Sequence, residues 1–208
     1  MNRSPTASPR WLWAEAVFLF VLWPGAAIFI EGVSKFLLFA IPFLYAGAVY
    51  WIVRPALPLP SWSGWKGALV RMAAAVPVMA AVTLWLAPEW WLAFPRERPL
   101  IWGIVMALYP FLSAWPQEFL YRRFFFWRYG PLFGKATLMI AANALLFAWL
   151  HVMYENWPAF VLSAIAGVFF ALTYSRSRNL TLVWIEHALY GQIAFTMGLG
   201  RFFYEGPS

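Results

Sequence analysis

Six ionisable side chains lie within long apolar stretches of this chain and are the residues best suited to do chemistry. They are Glu15, Glu118, Arg122, His151, Glu186 and His187. Because a charged group inside a membrane is costly, such residues are functional candidates by default. Glu15 stands alone near the start of the first apolar stretch, where we expect a structural or interfacial role.

The remaining five residues form three short clusters, the first of which pairs a carboxylate with an arginine. In the sequence PQEFLYR, Glu118 and Arg122 are four residues apart and therefore share one helix face. An arginine in that position can keep a carboxylate ionised in a poorly solvated place. Taken alone, the pair is equally typical of a structural ion pair near the end of a span.

The other two clusters each contain one of the two histidines of the chain. His151 ends an apolar stretch, with Asn143 two turns earlier on nearly the same helix face. His187 follows Glu186, and Gly191 lies one turn later, where the missing side chain would let another backbone or a ligand approach closely. A lone histidine in a span is also typical of a buried hydrogen-bonding group.

Together the clusters contain enough chemistry for catalysis. One carboxylate and two imidazoles suffice to activate a water molecule and to stabilise an oxyanion. The same set could instead bind a divalent metal, with the carboxylate as ligand or as base. No H-E-x-x-H helix is present, so we predict no metal site, although metal dependence stays open.

The composition indicates which elements must position these residues. Of the 208 residues, 63% are hydrophobic and 11% are charged, which excludes a soluble enzyme, a disordered chain and a disulfide-rich secreted domain. We predict one all-α integral membrane domain over residues 1–208, a polytopic bundle of about seven spans. The predicted spans are residues 11–30, 36–53, 68–87, 100–121, 136–154, 157–174 and 180–199.

Charge and the span breaks predict how the bundle sits in its membrane. The net charge of +7 would suggest nucleic acid in a soluble protein, but here it is typical of cytoplasmic loops, so we predict the lipid bilayer as partner and no nucleic acid. The apolar stretches are separated by breaks that carry charge, Pro or Gly, such as Glu31–Gly32 and the segment from Arg122 to Lys135. With the N-terminus inside, 11 of the 15 Lys and Arg residues, including Arg3, lie on inside segments, so we predict a cytoplasmic N-terminus. Aromatic residues at span ends, such as Phe124 to Trp127, are predicted as interfacial anchors.

The three clusters resemble a known family of membrane proteins. The order E-x-x-x-R, F-x-x-x-H and H-x-x-x-small, each on its own predicted helix, is similar to the CPBP family. These are intramembrane proteases of the CAAX-protease and bacteriocin-processing type, also called the Abi family. The resemblance covers roughly residues 111–204, and the first four predicted helices match only in being hydrophobic.

The resemblance implies a function and a role for each residue. Family members cut peptide bonds at or near the membrane, by glutamate chemistry without a metal ligand set. On this similarity Glu118 would be the base and His151 would hold the water with it. His187 would help to stabilise the oxyanion, and Arg122 would orient Glu118.

Two positions depart from the family pattern. The first motif usually begins with two glutamates, and Gln117 stands in place of the first, so Glu118 would have to act alone. The third motif usually ends in Asn, and Gly191 stands there, with the amide of Gln192 adjacent but about 100° away around a helix. The predicted boundaries also put His151 roughly 20 Å into the membrane and Glu118 near a span end, unless the fourth helix extends to Trp127.

Three functions remain open from the sequence. The first is an intramembrane endopeptidase acting on a membrane-tethered or membrane-embedded peptide, in the cytoplasmic membrane of a bacterium. The second is a non-catalytic chaperone, immunity factor or assembly partner built on the same scaffold, as Gln117 and Gly191 would allow. The third is a small-solute or proton-coupled transporter, although no inverted repeat is present. The sequence predicts no cofactor and does not indicate an oligomeric state.

Overall fold

The chain folds into a bundle of apolar helices. The computed structural model describes residues 8–30 and 33–204, and of Lys35 and Phe36 only the backbone; the predicted break at Glu31–Gly32 and Arg3 lie outside the described residues. The described residues contain no β-strand, which confirms the predicted all-α class. The long helices are α1 (Pro9–Phe29), α2 (Lys35–Val53), α3 (Trp65–Leu86), α4 (Pro99–Arg128), α5 (Ala136–Tyr154), α6 (Trp157–Ser177) and α7 (Leu180–Met197).

The number of span-length apolar helices is smaller than the predicted seven. Within the described residues, five helices are long and apolar enough to cross a membrane: α1, α3, α4, α5 and α6. The apolar part of α2, Leu37–Val53, is shorter than such a span. Helix α7 is not among the five, and its polar residues include Glu186, His187 and Gln192.

Helix α4 extends past the end predicted for it. The sequence predicts a span of residues 100–121 followed by a charged break, whereas the helix continues to Arg128 over 30 residues. Arg122 does not end the helix because it is fully buried beside Glu118. The predicted interfacial role of the following aromatic residues is wrong for Phe124 and Phe125, which are 0% and 1% exposed and belong to the core.

The backbone of α4 is irregular around its prolines. π-Helical turns occur at Pro110–Ala114 and Phe119–Phe124. Because Pro110 has no N–H, the carbonyl of Met106 four residues earlier has no helical donor. The side-chain amide of Gln192 on α7 donates to that carbonyl at 2.8 Å. A neighbouring helix thus satisfies a backbone group that the proline leaves unpaired, as is required inside a membrane.

Two further backbone carbonyls of α4 accept hydrogen bonds from neighbouring helices. The indole N–H of Trp184 on α7 donates to the carbonyl of Pro110 at 2.6 Å. The amide of Asn143 on α5 donates to the carbonyl of Tyr121 at 2.7 Å, inside the second π-helical stretch. Helix α4 is therefore held in position by α5 and α7 through its main chain.

The hydrophobic core is largely aromatic. Phe20 of α1 is fully buried and contacts three rings of the α4 region edge to face, those of Tyr121, Phe125 and Tyr129, at centroid distances of 5.1–5.8 Å. Edge-to-face pairs of this kind add to the free energy gained by burying the rings. The core thus fixes the second half of α4 against α1.

A buried ion pair also joins the end of α4 to the first two helices. Arg128 Nη2 donates to a Glu15 carboxylate oxygen at 2.8 Å, and the hydroxyl of Tyr45 on α2 donates to the other oxygen at 2.8 Å. Both oxygens of Glu15 therefore have partners. This arrangement is in line with the structural role predicted for Glu15.

Candidate active site

The structure brings together Glu118 and His187, two predicted site residues that are far apart in the chain. Glu118 Oε1 and His187 Nδ1 are 2.8 Å apart, within hydrogen-bonding distance. Glu118 lies on α4 and is 0% exposed, and His187 lies on α7 and is 5% exposed. The extension of α4 to Arg128 accounts for this meeting, since Glu118 lies about 15 Å from the end of the helix rather than at its tip.

Arg122 supplies a positive charge on the other side of the carboxylate. Its Nε is 3.2 Å from Glu118 Oε2, and both side chains are fully buried. The guanidinium also lies over the ring of Phe147 at 4.6 Å and that of Phe170 at 5.5 Å. The positive charge of Arg122 thus faces one oxygen of the Glu118 carboxylate, on the helix face that the two residues share.

Two phenylalanines hold the imidazole of His187 in place. The ring of Phe170 on α6 stacks on it at 4.7 Å, and the ring of Phe147 on α5 meets it edge to face at 5.7 Å. Packing of this kind restricts rotation of the imidazole. The ring is thus oriented by apolar contacts from two helices and by one hydrogen bond from a third.

The contact with Glu118 determines which nitrogen of His187 is free. If the carboxylate is ionised it only accepts hydrogen bonds, so Nδ1 of His187 would be the donor. Nε2 of a neutral imidazole would then keep its lone pair. In that state the pair would present an unprotonated nitrogen with a buried carboxylate behind it, an arrangement that can act as a general base with its orienting group.

His151 lies near this pair without bonding to it. It begins a 3₁₀ turn at the end of α5, it is 7% exposed, and its Nδ1 is 2.8 Å from the carbonyl of Phe147. The ring of Phe147 contacts both imidazoles, that of His151 at 4.9 Å and that of His187 at 5.7 Å. Among the described residues no hydrogen bond connects His151 to Glu118 or His187.

The amides predicted to support the site have other partners. The Gln117 amide donates to the hydroxyl of Ser113 at 3.0 Å, one turn back on the same helix. Asn143 and Gln192 donate to the carbonyls of Tyr121 and Met106, as described above. These amide groups therefore bond to the backbone of α4, or to a side chain on α4, and none of them bonds to Glu118 or His187.

Gly191 permits a close approach, as predicted, and the approaching residue is Tyr109. A Cβ atom on residue 191 would overlap Tyr109 Cε1, Cζ and Oη. The Tyr109 ring also meets the ring of His187 edge to face at 6.1 Å. Sequence analysis did not identify Tyr109, because only the glycine that makes room for it carries a recognisable signal.

Glu186 precedes His187 in sequence but belongs to a separate cluster. Its two carboxylate oxygens accept hydrogen bonds from Arg71 at 2.9 Å and from the hydroxyl of Thr173 at 2.6 Å. A cavity of about 430 Å³ between the start of α3 and α7 includes Glu186 in its lining, but neither Glu118 nor His187. Adjacent residues on a helix differ by about 100° in direction, which explains the separation.

The described part of the chain contains no group of three or more His, Cys, Asp or Glu residues that could hold a metal ion. Glu118 and His187 are near enough to share a ligand, but their mutual hydrogen bond uses one atom of each.

The segment that carries these residues is similar to a known protein family. Residues 99–192 match the family model described as type II CAAX prenyl endopeptidase Rce1-like. The match begins ahead of the predicted start at residue 111 and includes Glu118, Arg122, His151 and His187. No curated protein and no solved structure matches the chain significantly. Over this segment, which includes helices α4 to α6 and most of α7, the chain is similar to the CAAX-protease and bacteriocin-processing family of membrane proteins.

Proposed function

We propose that this protein is an intramembrane endopeptidase that hydrolyses a membrane-embedded or membrane-tethered peptide. The observation that carries the proposal is the hydrogen bond between Glu118 and His187, buried in an apolar bundle with Arg122 behind the carboxylate. A buried acid–base pair with no structural partner besides that arginine is a strong candidate for catalysis.

In the first step a water molecule attacks the carbonyl carbon of the scissile peptide bond. The water oxygen forms a bond to carbon, the carbonyl π electrons move to the oxygen, and the water proton passes to His187 Nε2. The carboxylate of Glu118 balances the charge of the resulting imidazolium. The pair thus acts as one base, with the proton held on His187 and the compensating charge on Glu118.

In the second step the tetrahedral intermediate collapses. The oxyanion electrons re-form the carbonyl, the carbon–nitrogen bond breaks, and His187 Nε2 gives its proton to the departing amine. The products are a carboxylic acid and an amine, and the pair returns to its starting state. This division of labour refines the roles inferred from the family resemblance, in which Glu118 alone was the base.

His151 has the contacts expected of a group that holds the attacking water. Its Nδ1 faces the Phe147 carbonyl, which only accepts, so Nδ1 carries the proton and Nε2 has a lone pair. A neutral imidazole with a free Nε2 can accept a hydrogen bond from water. We therefore assign His151 to positioning the water beside His187, since both imidazoles contact the ring of Phe147.

The basic residues support an orientation for the chain. The backbone N–H of Ser61 donates to the carbonyl of Ser177, so the loop before α3 and the end of α6 lie at one end of the bundle. Lys66, Arg176 and Arg178 are near these points. Because cytoplasmic segments are rich in Lys and Arg, we propose that this end and the N-terminus face the cytoplasm of a bacterial cell.

The proposal is tested by a direct cleavage assay. The chain is purified in mild detergent and incubated with a pooled library of membrane peptides, and products are identified by mass spectrometry. Glu118→Gln is assayed beside it, with and without a chelator. Glu186→Gln is the matched control, because Glu186 is also buried and also paired with an arginine.

Cleavage by the unaltered chain and by Glu186→Gln, lost in Glu118→Gln and insensitive to chelator, is the expected result. Normal cleavage by Glu118→Gln would contradict the proposed mechanism. Loss of cleavage on adding chelator would replace it by metal-dependent hydrolysis. No cleavage by any variant, with folding verified, would favour a non-catalytic role on the same scaffold.

A further inference from the structure

The Tyr109 side chain contacts the ring of His187, and the proposed mechanism does not use it. Its ring lies in the notch left by Gly191, one turn after His187 on α7. It is held edge to face between His187 at 6.1 Å and Phe195 at 5.3 Å. The ring is therefore fixed in direction, and its hydroxyl lies where a side chain of residue 191 would begin.

The hydroxyl of Tyr109 is also an available donor. It makes no hydrogen bond among the described residues, and the residue is partly buried. Other polar groups around the Glu118–His187 pair already have acceptors or already face Glu118. These are the His151 Nδ1, the amides of Asn143 and Gln192, and the fully buried guanidinium of Arg122.

Hydrolysis of a peptide bond requires a donor for the developing oxyanion. His187 Nε2 cannot serve at the moment of attack, because it is accepting the water proton. A group 6.1 Å away, centroid to centroid, can contact the same substrate carbonyl from another side, since each hydrogen bond spans about 3 Å. A neutral hydroxyl, fixed beforehand and aimed at that oxygen, stabilises the transition state without reorganising.

We propose that Tyr109 is a further catalytic residue, whose hydroxyl donates a hydrogen bond to the oxyanion of the tetrahedral intermediate. The inference rests on the proposed peptidase function. As water attacks, the carbonyl oxygen gains the π electrons and accepts the Tyr109 hydrogen bond, while the water proton goes to His187. On collapse the oxygen returns its electrons to carbon and the hydrogen bond weakens. Tyr109 keeps its proton throughout.

The test is a double-mutant cycle on cleavage of a peptide that the unaltered chain cuts. Tyr109→Phe removes the hydroxyl and keeps the ring in its notch. Gly191→Ala keeps the hydroxyl and displaces the ring, because the new Cβ overlaps it. We expect either substitution to lower kcat about 100-fold, the effect of losing one oxyanion donor, with KM nearly unchanged. The double variant should be no slower than Tyr109→Phe, since both changes remove one interaction.

A matched control is Tyr190→Phe, which removes a buried, unpaired hydroxyl from α7 itself. Tyr190→Phe should leave kcat unchanged. It therefore distinguishes the loss of any hydroxyl near the site from the loss of the Tyr109 hydroxyl. The melting temperature of each variant is measured in the same detergent to verify folding.

Full kcat in Tyr109→Phe, in an experiment where Glu118→Gln is inactive, would overturn this inference and leave the proposed function standing. A loss in Gly191→Ala without a loss in Tyr109→Phe would also overturn it, because the ring rather than the hydroxyl would then matter. Normal cleavage by Glu118→Gln would remove the proposed mechanism and this inference together.

Discussion

Two buried glutamates, Glu118 on α4 and Glu186 on α7, each lie beside an arginine, but their remaining contacts differ. Both oxygens of Glu186 accept hydrogen bonds, from Arg71 and from Thr173. Glu118 has one hydrogen bond, to His187, and its other oxygen faces Arg122 at 3.2 Å without forming one. Both oxygens of Glu186 thus have hydrogen-bond donors, whereas one oxygen of Glu118 has none and Glu118 retains capacity for a change of charge.

The arginines differ in the same way. Arg71 is 20% exposed and bridges α3 to α6 and α7 through one Nη atom, which contacts both Thr173 and Glu186. Arg122 is fully buried, and among the described residues none of its three guanidinium nitrogens makes a hydrogen bond of good geometry. Buried polar groups that make no hydrogen bond usually have a role other than stabilising the fold. The two clusters therefore differ in how many of their polar atoms are hydrogen-bonded rather than in burial or charge, and we propose catalysis for the cluster with unpaired atoms.

The sharpest test of this contrast compares the two carboxylates in catalysis. We expect Glu118→Gln to lower kcat by about 10³-fold, because the imidazolium of His187 loses its counter-charge. Glu186→Gln should leave kcat nearly unchanged at temperatures where the protein is folded. Turnover of one peptide by both variants is the measurement. Equal losses would mean that the two clusters act as one unit.

The second test compares the arginines in stability. Arg122→Met leaves Glu118 buried without a counter-ion and should lower the free energy of unfolding by about 3–5 kcal/mol. Arg71→Met should lower it less, because Arg71 is partly exposed and Thr173 still donates to Glu186. Unfolding by denaturing detergent in mixed micelles measures both. Combining Arg122→Met with Glu118→Gln should restore part of the loss, and no restoration would argue against the ion pair.

A third test removes the hydroxyl that saturates Glu186. Thr173→Val keeps the shape of the side chain and leaves one oxygen of Glu186 without a donor. We expect the free energy of unfolding to fall by about 1–3 kcal/mol. Thr173→Ser retains the hydroxyl and is the matched control, with little expected change. Activity of the folded Thr173→Val variant should equal that of the unaltered chain. A large loss of kcat would place this cluster in the catalytic machinery.

The smallest expected effect concerns the backbone of α4. Gln192→Leu should destabilise the protein by about 1 kcal/mol, since the Met106 carbonyl loses its donor. In a Pro110→Ala background the new N–H can pair with that carbonyl, so the same substitution should cost almost nothing. Unfolding of the four chains measures the coupling between the two residues. Equal effects of Gln192→Leu in both backgrounds would contradict this account of the kinked helix.

The parts of this arrangement that follow from local spacing could be predicted from the sequence. A separation of four residues predicts that Glu118 and Arg122 lie on one helix face. His187, with Gly191 one turn later, indicated a candidate functional site. What depended on tertiary contacts could not be predicted. Arg122 was expected to begin a break, because a sequence does not show that a buried carboxylate will neutralise its charge and let the helix continue.

The partners of polar side chains were equally hidden. Glu186 and His187 are adjacent, and only the packing of α7 between its neighbours decides which of them faces Glu118. Gly191 predicted a close approach but not the ring of Tyr109, which comes from a residue more than 80 positions away. The predicted roles of Gln117, Asn143 and Gln192 as supports of the site stay predictions, since their amides are bonded elsewhere.

The main-chain bonds to α4 have a consequence for how such a protein diversifies. Three side chains donate hydrogen bonds to backbone carbonyls of α4, those of Gln192, Trp184 and Asn143. A backbone carbonyl does not depend on the side chain of its residue. Exposed side chains of the same helix, such as Phe111 and Leu112, take no part in these bonds. Substitutions at exposed positions of α4 therefore leave these hydrogen bonds intact, so the outer surface of the helix can change while Glu118 keeps its place.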